Sequence, residues 1–171
     1  MDNFTNETID TLQLPRFEKV TMTPLHANYW KVLLLTWVIV FLVISAGIGV
    51  AMILVDDFLA RAASIVIPVI IVLVIILILS FVGFRKKAFA FRNHDVLFRH
   101  GIIATTTIVI PYNRIQHVAL HEGFISRFFK LATVQIFTAG GSSSDLEIPG
   151  IEKAHAENIK QLLMGKIQKE L

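Results

Sequence analysis

VLLLTWVIVFLVISAGIGVAMILV, residues 32–55, and AASIVIPVIIVLVIILILSFVGF, residues 62–84, carry no charged side chain, and only DDFLAR, residues 56–61, separates them. A helix crossing a bilayer needs about 20 apolar residues for a hydrocarbon core of about 30 Å. The two runs hold 24 and 23. Core helices of soluble proteins show shorter apolar runs and a polar stripe, whereas here every face is apolar. The β-branched residues of the second run are poor helix formers in water, but lipid offers the backbone no other partner, so the helix forms. A cleaved signal peptide does not fit either, because the first run follows a polar segment of 31 residues and is too long for an h-region. The sequence therefore predicts a transmembrane helical hairpin with spans over 32–55 and 62–84 and an external loop over 56–61.

Seven basic residues, Arg16, Lys19, Lys31, Arg85, Lys86, Lys87 and Arg92, flank one end of the hairpin, against Arg61 alone in the loop. The positive-inside bias places both termini in the cytoplasm of a plasma (inner) membrane protein. Neither span has an ionisable residue, which argues against ion or proton transport. Within the first span, Ser45, Gly47, Gly49 and Ala51 place small residues four apart, a surface for close helix packing, either within the hairpin or in a homo-oligomer. Pro68 in the second span is tolerated in membrane helices and implies no gate.

Outside the hairpin, residues 1–14 are polar and patternless and are expected to be disordered. Residues 15–31 form a pre-helix segment in which the alternation from Phe17 to Leu25 suggests a strand able to join a downstream sheet. Residues 85–171 suffice for one small domain. Its twelve Lys and Arg against seven Asp and Glu make it net +5. Short extended segments recur at Lys87–Phe91, Val96–Arg99, Ile102–Ile110, Arg114–Leu120, Thr133–Thr138 and Leu146–Ile148, separated by Asn-His-Asp, His-Gly, Pro-Tyr-Asn and Gly-Gly-Ser turn signals. After Pro149-Gly150 the period becomes helical, with Ala156, Ile159, Leu162, Leu163, Ile167 and Leu171 on one face. The fold class is thus a membrane α-helical hairpin plus an α+β soluble domain, a small barrel or sandwich plugged by a C-terminal helix.

The segments Ile110-Pro111-Tyr112-Asn113-Arg114-Ile115-Gln116-His117-Val118, Gly123-Phe124-Ile125-Ser126-Arg127-Phe128-Phe129-Lys130-Leu131-Ala132 and Val134-Gln135-Ile136-Phe137-Thr138-Ala139-Gly140, behind a pair of apolar helices, resemble the YdbS-like bacterial membrane proteins with a pleckstrin-homology-like domain. The resemblance covers residues 15–171. It implies a barrel of two orthogonal sheets with a C-terminal helix, and no established reaction. This chain departs from the family at Lys130, where a glycine is usual.

Chemistry-bearing clusters are sparse. His117 and His121 lie four apart on a predicted strand, about 13 Å, too far for one metal ion. Asp145 and Glu147 flank a turn and suit solvent exposure. Ser142 to Ser144 belong to a turn without a histidine motif, and Gly140-Gly141 lacks the spacing of a phosphate loop. No metal, cofactor or enzymatic activity is expected. Arg114 stands between a turn and a strand and either pins that turn or binds an anion. In the 124–131 segment, Phe124, Ile125, Phe128 and Phe129 would share one face of a helical turn, with Arg127 and Lys130 at its edge. That face either caps the core or rests on the inner leaflet. The expected partners are membrane lipids, a second copy or, as the resemblance implies, a larger membrane protein with repeated domains of the same kind. Nucleic acid is disfavoured because the positive charge lies mostly beside the membrane. The leading function is a non-enzymatic interaction module. A sensor of anionic headgroups through Arg114, Arg127 and Lys130 is the first alternative, an unrecognised enzyme the second.

Overall fold

The computed structural model describes residues 20–54, 58–139 and 145–170, with the backbone alone for 58–61 and 168–170. The disorder expected over residues 1–14 and the turn at 140–144 lie outside the described residues. The hairpin comes first: α1, Tyr29–Leu54, and α2, Phe58–Lys86, pack along each other. Both are long and apolar enough to cross a membrane, and their apolar cores are not buried in the protein. Helix α1 begins three residues before the first charge-free run because Tyr29, Trp30 and Lys31 supply its first turn. Thr36, Trp37 and Ser80 find partners inside the spans, where no water can serve them. Thr36 Oγ1 donates to Val32 O at 2.8 Å, and Trp37 Nε1 donates to Ser80 Oγ of the opposite helix at 3.1 Å.

The domain is built from two antiparallel sheets. One has the order β1-β2-β3-β4, with β1 Thr23–Pro24, β2 Ala88–Phe91, β3 Asp95–His100 and β4 Thr106–Pro111. The other has the order β5-β6-β7, with β5 Ile115–His121, β6 Leu131–Thr138 and β7 Leu146–Glu152. A 3-10 turn, Tyr112–Arg114, joins the sheets, a short helix α3, Phe124–Phe128, joins β5 to β6, and α4, Lys153–Glu170, follows β7. This is the two-sheet, helix-closed fold that the resemblance implies. Strand alternation sends Val96, Phe98, Val118, Val134, Ile136, Ile148 and Ile151 into one core with Leu25.

The hairpin is an insertion between neighbouring strands. Thr23 pairs with Phe89 and Pro24 with Ala88, so the chain leaves the sheet at β1, crosses out and back, and returns to pair beside its point of departure. The expected strand over 17–25 is thereby narrowed to two described residues, with 17–19 outside them. Gly150 fastens the joint. Its φ is +66°, and a Cβ there would lie 2.5 Å from the Tyr29 ring, so only glycine admits both this backbone and the start of α1. His26 N–H also donates to Gly150 O at 2.9 Å. At the same level Trp30 packs edge-on against Phe81, with ring centroids 4.8 Å apart.

Several boundaries differ from the sequence expectation. The segment read as a strand from Ile102 starts only at Thr106, because Gly101, at φ +120°, turns residues 101–105 back toward α2. Strand β7 runs through Pro149-Gly150 instead of ending there, next to a register shift between Ala132 and Val134. Proline is admitted to strands at such irregularities and at edges. In α4, Ala156, Ile159 and Leu163 are buried, but Leu162 is 47% exposed. Successive helical residues turn by about 100°, so the stripe through 156, 159 and 163 carries Leu162 off the core face. Leu171 lies outside the described residues.

Candidate functional site

The strands run between two ends of the domain. The end next to the hairpin carries the start of β2, the β3–β4 loop, α3 and the β7–α4 junction. The far end of the four-stranded sheet carries the Arg92–Asp95 turn and the 3-10 turn 112–114, to which α4 also packs. The far end is pinned by Tyr112. Its ring is 1% exposed, its hydroxyl donates to Arg92 O at 2.6 Å, and its N–H donates to His94 O at 3.0 Å. Desolvation, with the Asp95 charge second, pushes its pKa up to about 12. Arg92 forms a two-pronged ion pair with Asp95, and Lys166 Nζ donates to Asn93 O at 3.0 Å.

Arg114, the residue expected to pin or to bind, is exposed, and among the described residues its guanidinium has no partner. Its carbonyl accepts from Ala139 N–H beyond the end of β6. Lys130 precedes the start of the same strand, so the eight residues of β6 hold the two roughly 25 Å apart. Arg114, Arg127 and Lys130 are therefore not one site. Arg127 and Lys130 do meet, in a cleft of about 430 Å³ with Glu122, Glu152, Lys153 and Glu157. Three cations face three carboxylates there, and Lys153 pairs with Glu122 at 2.8 Å, which raises the lysine's pKa. Lys130 has φ +55°, the one positive-φ residue other than glycine among those described. Glycine, which the sequence resemblance leads one to expect at this position, takes that conformation without strain.

In α3, Phe124 is 79% and Phe128 72% exposed, their rings packed edge-on at 5.2 Å. Ile125 and Phe129 are half-buried, so the four residues do not cap the core as one face. In α1, a Cβ on Gly47 or Gly49 would meet nothing within 4 Å, and Ser45 is exposed while Ala51 is half-buried. The hairpin does not use these glycines for close approach.

Sequence reading missed a cleft of about 520 Å³ between the sheets, lined by Tyr29, Lys87, Phe98, His100, Thr133 and Asp145 among others. Burial lowers the Lys87 pKa, and His100 Nδ1 is buried without a partner. Asp145 is held below the usual carboxylate range by Thr138, whose Oγ1 and N–H donate at 2.6 and 2.7 Å. These residues come from α1, β3, β6 and two connections, so no local motif announces them.

A family model described as Bacterial PH domain matches residues 30–167, hairpin and domain together. The chain is also similar to the UPF0699 transmembrane protein YdbS of Bacillus subtilis (strain 168), at 33% identity over 67 residues, which is 39% of this chain and 40% of that protein. The match thus spans about two-fifths of either chain. No solved structure matches. With two apolar helices passing into a two-sheet, helix-closed domain, this chain is a membrane protein that belongs to the bacterial PH domain family.

Proposed function

We propose that this chain is a non-enzymatic scaffold of the plasma membrane, with both termini in the cytoplasm, whose PH-like domain docks a protein partner at the inner face. The seven basic residues at the domain end of the hairpin, against Arg61 in the loop, support the orientation. One observation carries the docking reading, the outer edge of β4. Among the described residues β4 pairs with β3 alone. Its sequence, Thr-Thr-Ile-Val-Ile before Pro111, has no charge, and Val109 is exposed. Edges left in water are usually blunted by lysine, proline or a bulge, because an open row of N–H and C=O groups recruits another strand. Proline stands here only at the strand's last residue. Strand addition is an established way to bind protein, and a larger membrane protein with repeated PH-like domains presents strands of matching chemistry. The β3–β4 loop, which meets the end of α2, leads directly into this edge.

Headgroup binding is a second reading, favoured by the cleft of Lys87 and His100 rather than by Arg114, Arg127 and Lys130. A photo-crosslinking residue at Val109, in native membranes, tests the first. The expected result is a discrete protein adduct that a control position at Asn158 on α4 does not give. No adduct at Val109, or the same adduct from both positions, contradicts docking at this edge.

A further inference from the structure

Three exposed apolar side chains stand at the hairpin end of the domain, on two different connections. Ile103, in the β3–β4 loop, is 98% exposed. The loop is held firmly. Gly101 at φ +120° sets the turn, and a Cβ there would lie 1.9 Å from Ala104 O. Lys86 Nζ donates to Ile102 O at 2.5 Å, and the Ile102 side chain lies 3.4 Å from where a Gly83 Cβ would be. Gly83 is the second-to-last residue of the charge-free run 62–84, two residues before Arg85 and three before Lys86, on the span side of both. The loop thus reaches past the basic collar of α2 to the level of its apolar segment.

On the other connection, α3 lies against α1. Val32, at the domain end of α1, is that helix's one buried residue among those described. Phe124 and Phe128 stay uncovered beside it. The aromatic cluster of Trp30, Phe81 and Phe84 lies at the same end of the hairpin, where interfacial rings collect.

From this juxtaposition we infer that the domain seats its own face in the bilayer, with Ile103 on one side of the hairpin and Phe124 and Phe128 on the other entering the headgroup–acyl boundary. The occupant of this surface is lipid, because both patches are continuous with the apolar helices and one reaches the level of a residue inside the span. Amphipathic elements bury apolar side chains about 5–10 Å into that boundary. Two such contacts flanking the hairpin fix the tilt of the domain, so that its far end, with Tyr112 to Arg114, points away from the membrane. The inference is independent of the partner proposed for β4 and of which leaflet the domain faces.

The chain has no cysteine, so single substitutions carry a nitroxide label without background. Ile103→Cys, Phe128→Cys and Asn113→Cys, each labelled in the full chain in lipid nanodiscs, are read by power saturation against oxygen and a water-soluble nickel chelate. All three positions are exposed, and unchanged thermal melting confirms that the fold survives. The expected result is an oxygen-to-nickel accessibility ratio several-fold higher at 103 and 128 than at 113. Equal ratios at all three positions place the face in water and overturn the inference. Protection of 103 and 128 from both reagents assigns the face to a protein contact, a second copy included, and overturns it as well. Lipid exposure at one position alone contradicts the two-sided seating.

Discussion

Lys130 sits in left-handed backbone that costs an L-residue about 1–2 kcal/mol, while glycine takes it freely but loses more entropy on folding. Lys130→Gly should therefore raise the unfolding free energy of the detergent-solubilised chain by about 0.5–1 kcal/mol. An unchanged or lower value would mean that the lysine's contacts outweigh the strain. Tyr112→Phe leaves the Arg92 carbonyl without its hydroxyl donor and should cost about 1–3 kcal/mol. It also carries a pH signature. A phenol whose pKa rises from 10.0 to about 12 on folding contributes stability that is full below pH 10 and is lost as pH rises through 12. Subtracting the Phe variant's alkaline unfolding profile from that of the unaltered chain should isolate that loss. At this scale the sequence was only half legible. The motif around Pro111 to Arg114 marked a structural corner, but spacing does not tell which of three consecutive residues a 3-10 turn points inward, and it is Tyr112 rather than Arg114.

Elements were easier to read where the solvent dictated them. In hydrocarbon a charge-free run has no choice but helix, so α1 and α2 follow from composition. The strands follow from alternation and turns, but two boundaries depended on long-range partners. Residues 102–105 have strand-like composition, yet they leave the ladder, with the Ile102 side chain against Gly83. Pro149-Gly150 looks like a stop, yet it stays in β7 because Gly150 faces Tyr29. The C-terminal helix shows the same limit on a finer scale, since neighbouring leucines cannot both face the core. Leu163→Ala should cost about 2–5 kcal/mol, as buried leucines do. Leu162→Ala should stay within about 0.5 kcal/mol. Chemical denaturation of the two variants checks the register of α4, and a large loss for Leu162→Ala would refute it.

At the scale of the molecule, the hairpin and the domain are one construction, because the first sheet is completed only by strands on both sides of the membrane insertion. The charge-based pattern of flanking residues was legible at once. The partition of functional groups between the two ends of the domain was not, since Arg114 and Lys130 are 16 positions apart in a motif-rich stretch that folds into opposite strand ends. An inward-facing platform requires the domain and the loop after α1 to lie on opposite sides of the membrane. Single cysteines at Asp57 and Asn113, probed with a membrane-impermeant thiol reagent in intact and in permeabilised cells, measure this directly. Labelling of position 57 in intact cells, with position 113 reacting only after permeabilisation, is the predicted result. Labelling of position 113 in intact cells with protection of 57 would contradict it.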